Sequence, residues 1–348
     1  MSIKKYFLEV IKISFLNNIK ALHQYSAIPT EIYACRKNAA LFDFSFVSSA
    51  SIYGADSLAI LSKITKRDFR RMNIGDIKYA LSCDENGWIR SDITIWKETK
   101  NRYLLMSGLP NDINDLISFQ NPKLDCKVKK ISKKIKIYSV QGPNSFAILS
   151  KFVNQQKLKS LAYFSFLKLD VLDIPCLIGR LGYTGELGFE IILPAEHQSI
   201  LWEKLVSKIR PCGLIAINQL RIEAGFVFFD NEFRLPVSAT DLGLESFSNN
   251  NVESQNLCLI SFQGKTAQKL ELWSPLRTLK MPKIGEIIIT SACKQLNSRE
   301  CLGLGFVKNC NISDNQSYTD PYGKFWNIRK VPRPFYDTLK RRPRIKLY

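Results

Sequence analysis

The chain has 348 residues, 45% of them hydrophobic and 23% charged, enough to build more than one core, and the length predicts two or three domains. Its 50 lysines and arginines against 31 aspartates and glutamates leave a net charge of +19. No apolar run approaches the roughly 20 residues that a membrane helix needs, and no RNA-binding aromatic signature or helix-turn-helix pattern accompanies the charge.

The cations are spread along the chain, densest at 63–71, 127–136 and 340–346. Solvated faces are the first reading of that charge and an anionic small ligand the second, ahead of nucleic acid. Nine scattered cysteines without a C-x-x-C pair read as reduced thiols in a cytoplasmic protein. The two histidines, His23 and His197, have no neighbours at metal-ligand spacing, which argues against a zinc site or a histidine-based triad. Chemistry here has to rest on carboxylates, tyrosines and a borrowed cofactor.

At the start, Phe7, Val10, Ile11 and Phe15 keep helical spacing, and Glu9 and Lys12 interrupt what would be a signal-peptide core, so an amphipathic helix is expected. Helix is expected again over 25–40, a strand over 48–53, a helix from Asp56 and a short strand over 79–82. The residues Asp84-Glu85-Asn86-Gly87 are of the kind that join hairpin strands. In the strand after them, Ile89, Ser91, Ile93 and Ile95 share one face, while Arg90, Asp92, Thr94 and Trp96 share the other. Asp92 therefore stands on a polar and aromatic face, where local chemistry alone makes it a surface aspartate paired with Arg90.

Strands follow over 102–107 and 135–140, with Gln141-Gly142-Pro143 closing the second, and a helix over 145–152. Between strands expected at 171–179 and 189–193 lies Gly179-Arg180-Leu181-Gly182-Tyr183-Thr184-Gly185-Glu186-Leu187-Gly188-Phe189-Glu190. Four glycines that pack no side chain make sense where the chain turns tightly or another group approaches the backbone. Two acids, Glu186 and Glu190, are offered there, and local chemistry does not choose between them. A helix from Pro194 to Ile209 is expected, then another over 213–224 that Gly225 stops. The asparagine-rich stretch around 246–254 reads as a linker, and short strands at 285–290, 303–307 and 326–329 make up a small β-rich domain. The expected division is 1–250 and 260–348.

Taken in order, these motifs resemble the aminomethyltransferase family, the glycine cleavage T-protein and its tetrahydrofolate-binding relatives. The resemblance runs over nearly the whole chain. It is carried by Arg36-Lys37-Asn38-Ala39-Ala40-Leu41-Phe42-Asp43, Gln141-Gly142-Pro143, Gly182 through Glu190, Leu220-Arg221-Ile222-Glu223-Ala224-Gly225, Leu304-Gly305-Phe306-Val307 and Pro334-Phe335-Tyr336-Asp337. It implies an α+β fold of three domains arranged as a cloverleaf, the first two interleaved and the last a small β-barrel, with folate in a central channel. It implies tetrahydrofolate-dependent one-carbon transfer, the donor being a small methylated or aminomethylated molecule or the aminomethyl-lipoyl arm of a carrier protein. By the same resemblance Asp92 is the essential aspartate, Glu190 the pterin-binding glutamate and Tyr79 a wall of the folate site. Tyr183 and Arg221, in the two strongest motifs, join the candidate cofactor-binding residues, although Tyr183 reads more as support for the hairpin. The strand Ile89-Arg90-Ser91-Asp92-Ile93-Thr94-Ile95 is similar to the folate domains of sarcosine and dimethylglycine dehydrogenases, which makes a flavoprotein dehydrogenase an alternative partner. Ile217 stands where T-proteins have a folate-holding arginine. A folate-binding or RNA-associated accessory protein without transferase activity is the alternative from a different class.

Overall fold

A computed structural model describes residues 13–16, 19–248, 254–266, 283–296, 298–309, 316–320 and 323–347. Three sheets carry the architecture. The first is six-stranded, with spatial order 166–171, 174–179, 188–194, 135–141, 40–43 and 210–211. The second is five-stranded and wholly antiparallel, in the order 77–83, 89–99, 102–107, 48–53 and 127–130. All of the second sheet's strands lie in sequence between two neighbouring strands of the first, 40–43 and 135–141.

The two sheets meet face to face. Ile77, Trp96, Leu104 and Met106 of the second pack with Phe42, Ile137, Ile192 and Leu181 on the side of the first. Each sheet carries its helices on the opposite face, with Leu149, Leu158, Leu201 and Leu205 behind the first and Ile60, Leu61, Ile113 and Leu116 behind the second. The result is a helix–sheet–sheet–helix stack. The strand Ile89–Thr99 shows the expected alternation: Ile89, Ser91, Ile93 and Ile95 are at most 2% exposed, while Arg90, Asp92 and Thr94 are half-buried. Trp96 departs from that pattern and is fully buried, because its indole lies flush on the backbone of Gly179 in the first sheet, where a Cβ would overlap it.

The third sheet, from strands 283–284, 287–294, 301–308, 257–266, 325–331 and 316–319, packs through Leu259, Leu304 and Phe306 against Leu81, Cys83 and Ile89 of the second sheet. Its outer strands do not pair with each other, so among the described residues it is an open sheet and not the closed barrel expected. Phe15 lies in a strand, Ile13–Leu16, that forms a hairpin with Ile19–Leu22, in place of the expected helix; residues 1–12 of that expectation lie outside the described residues. Cys258 is disulfide-bonded, against the expectation of reduced thiols throughout, whereas Cys35, Cys83, Cys126, Cys176, Cys212, Cys293 and Cys301 hold buried thiols. Among the described residues no helix is long and apolar enough to cross a membrane.

Candidate active site

The glycine-rich stretch forms the loop between strands Ile174–Gly179 and Gly188–Pro194, antiparallel neighbours with Gly179 opposite Glu190. Its glycines serve the protein's own packing. A Cβ at Gly182 or at Gly188 would overlap the buried side chain of Gln141, and Gly185 has φ +78. The Gln141 amide donates to Ser139 Oγ (2.9 Å) and to the Leu181 carbonyl (3.1 Å), and accepts from Thr184 Oγ1 (3.0 Å). It pins the loop from inside.

The loop separates its two acids. Glu186 is 2% exposed and turned into a network with Arg36 (3.1 Å) and Arg342 (3.4 Å). Arg36 also binds Glu223 (2.6 Å) and donates to the Thr184 carbonyl (2.8 Å), with its guanidinium 3.8 Å above the Tyr336 ring. Glu190 stands on the strand and faces a cavity of about 560 Å³ lined by parts of the first two sheets, the helix Leu214–Glu223 and the C-terminal segment. That size falls in the range of small-molecule sites.

Asp92, Tyr79, Glu190, Tyr183 and Arg221 all line this cavity. Asp92 does not pair with Arg90, which binds Asp112 (2.9 Å) and Asp115 (2.8 Å) on the other side. Instead it accepts a hydrogen bond from the Tyr79 hydroxyl. Burial pushes the Asp92 carboxyl up to about 6, with Asp112 and Glu232 adding to the push and the hydrogen bonds from Tyr79 and its own backbone opposing it. Burial, then the neighbouring Asp92, holds the Tyr79 hydroxyl well above its ordinary value, so it keeps its proton and donates. Tyr79 is steadied by Phe247, edge-on at 5.1 Å, and its carbonyl accepts from Arg67.

The Glu190 carboxylate has no hydrogen-bond or ion-pair partner among the described residues, and burial alone pushes it up to about 7. A half-buried carboxylate facing a cavity without donors of its own is a place prepared for a ligand's N–H groups. The other two candidates are committed to the protein. The Tyr183 hydroxyl donates to the Val227 carbonyl and its ring stacks on Phe226 at 5.7 Å and 12°. Arg221 is 1% exposed and donates to Asn218 (3.0 Å), the Phe226 carbonyl (3.1 Å), Glu232 (3.0 Å) and Ser291 (2.6 Å). Four of its five N–H donors are thus engaged, so it braces the cavity wall instead of reaching for a ligand.

Besides Arg221, the cavity is lined by five cations that the sequence did not place there: Arg67, Lys78, Arg333, Lys340 and Arg344. Arg333 donates through one Nη to the Leu242 carbonyl (2.7 Å) and leaves its other Nη buried without a partner among the described residues. Burial lowers Arg333 and Lys340 from their ordinary values, and for Lys340 the nearby Arg333 and Arg344 add to that. Arg333 stands just before the flagged Pro334-Phe335-Tyr336-Asp337, but nothing local said that this segment returns to the cavity. Ile217, a departure from the T-protein pattern, is in the wall and 6% exposed.

The model of the GCVT N-terminal domain matches residues 12–251. A Bacillus cereus aminomethyltransferase is 33% identical over 346 residues, 91% of this chain and 92% of that protein. The chain belongs to the aminomethyltransferase family. An aminomethyltransferase of Bacillus cytotoxicus is 36% identical over 229 residues, 64% of this chain; the chain spans 62% of that relative's length. Among solved structures, the glycine cleavage system aminomethyltransferase T of Bartonella henselae superposes with a TM-score of 0.79 at 21% identity, over 96% of each chain, a likeness of fold.

Proposed function

We propose that this family member transfers a one-carbon unit from an aminomethyl or methylamine donor to tetrahydrofolate, with Asp92 as the reacting carboxylate. The observation that carries the reading is the pairing, in one cavity, of a tyrosine-held Asp92 with a partnerless Glu190. Membership of the aminomethyltransferase family supports it. Glu190 fits the N–H edge of a pterin as an acceptor, and the unpartnered Nη of Arg333 fits an acidic group of the same ligand. Tetrahydrofolate, when bound, supplies the amines that accept the carbon unit. Asp92, near 6, is largely ionised at neutral pH, so it can stabilise positive charge developing at an amine or take its proton, while Tyr79 fixes the carboxylate's orientation. The aromatic wall of Phe226, Phe228 and Phe247 keeps these charges from bulk water, where they would count for less. The donor we favour is an aminomethyl group on a lipoyl carrier, released as ammonia and methylene-tetrahydrofolate; a methylamine-derived iminium from a flavoprotein dehydrogenase is the alternative.

The test is binding and turnover together. Calorimetry with tetrahydrofolate is expected to give comparable affinity for wild type and Asp92→Asn. Turnover of the aminomethylated carrier is expected to fall about 100-fold or more, the size seen when an electrostatic catalytic group is removed. Unchanged turnover in Asp92→Asn would falsify the assignment.

A further inference from the structure

On the face of the second sheet away from the cavity, Asp112 projects from the first turn of the helix Pro110–Ser118 and is fully buried. Its carboxylate accepts from the hydroxyls of Ser82 (2.7 Å), Ser107 (2.5 Å) and Ser91, one from each of three adjacent strands. Arg90 adds a fourth donor at 2.9 Å. In the register of these strands Ser82 faces Ser91, Leu81 faces Asp92, and Ser107 faces Ile93. The cage is therefore centred one residue from Asp92, behind the strand that presents it.

A buried carboxylate is costly unless its lone pairs are satisfied, and the surrounding core is otherwise Ile93, Ile113, Leu116 and similar residues. Three serines and an arginine satisfy this one. The charge is not cancelled: Arg90 is shared between Asp112 and Asp115, two carboxylates to one guanidinium. The other groups around Asp92 are arranged differently. Tyr79 and Tyr183 are protonated, Glu232 is matched by Arg221 at 3.0 Å, and Arg333 lies near Tyr79.

We propose that Asp112 is a positioning residue for Asp92: it binds together the three strands that hold Asp92 and Tyr79, and from behind the sheet it supplies a fixed negative charge that opposes ionisation of Asp92. Its appearance among the groups that raise the Asp92 carboxyl agrees with this. The inference rests on Asp92 being the reacting carboxylate.

The experiment follows the aspartate carboxyl carbons by NMR through a pH titration, with Asp92 identified by the resonance lost in Asp92→Asn. In Asp112→Asn the Asp92 midpoint is expected to fall by about half a unit or more, and in Arg90→Gln, which unmasks Asp112, to rise by a similar amount, as for a unit charge several ångströms away in a protein interior. The acid limb of the turnover profile should follow each shift. A purely structural clasp would not move the midpoint in opposite directions in the two variants, and an unmoved midpoint in both overturns the inference. If Asp112→Asn does not fold, Arg90→Gln decides alone, since it leaves Asp112 its three serines. A midpoint that shifts as expected while turnover ignores Asp92→Asn identifies the other failure: the catalytic reading falls and takes the positioning role with it.

Discussion

Glu190 is held in the folded protein at a cost. Its carboxyl is raised from an ordinary 4.5 to about 7 by burial, so ionising it at neutral pH works against folding. Between about pH 4 and 7 the folded state binds more protons at Glu190 and Asp92 than the unfolded chain does. Stability from these two groups is therefore full at the acid end and is lost as pH rises through about 6 for Asp92 and about 7 for Glu190. Glu190→Gln is expected to stabilise the ligand-free protein at pH 8 by on the order of 1–3 kcal/mol and to flatten that pH dependence, as read by urea unfolding. The same substitution is expected to weaken tetrahydrofolate binding about tenfold or more, because a charge-assisted acceptor becomes a neutral amide that can be turned either way. A variant that is both destabilised and tight-binding would contradict this account of the residue.

At the level of the element, the glycine loop and the Asp92 strand show what was legible in the chain and what was not. The alternation of isoleucine with polar residues over 89–95 gave the strand and the face of Asp92, because a half-buried strand writes its period of two into the sequence. Glycine spacing gave the loop but not its reason, since the partner that requires Gly182 and Gly188 is Gln141, some forty residues earlier. The helix Pro110–Ser118 received no reading from the sequence, and only the strands beneath explain why Asp112 in it is buried. The resemblance chose Glu190 over Glu186; the physical reason lies in Arg36 and Arg342, which occupy Glu186 from 150 and 156 positions away. Gly188→Ala is expected to destabilise by about 1–3 kcal/mol through overlap with the Gln141 amide. Adding Gln141→Ala should make the pair cost less than the sum of the single changes in a double-mutant cycle.

Across the whole molecule, Arg36 ties together parts that are distant in sequence: its own helix Ile28–Lys37, the loop at Thr184 and Glu186, the helix that ends at Glu223, and Tyr336 near the C-terminal end of the described chain. Arg36→Ala leaves Glu223 without its arginine and Glu186 with Arg342 alone at 3.4 Å, and is expected to cost about 3–5 kcal/mol by equilibrium unfolding. The nesting of the second sheet inside the first has a consequence for the order of events during synthesis. Strands 48–130 are contiguous and pair only with one another, so their sheet can close as soon as they leave the ribosome. The strand Ala40–Asp43 has to wait for Ile135–Gln141, about ninety residues later, and the cavity lacks three of its cations until Arg333, Lys340 and Arg344 have been made. Chains arrested on the ribosome after residue 160 are therefore expected to protect the Asp92 strand from protease while still failing to retain tetrahydrofolate.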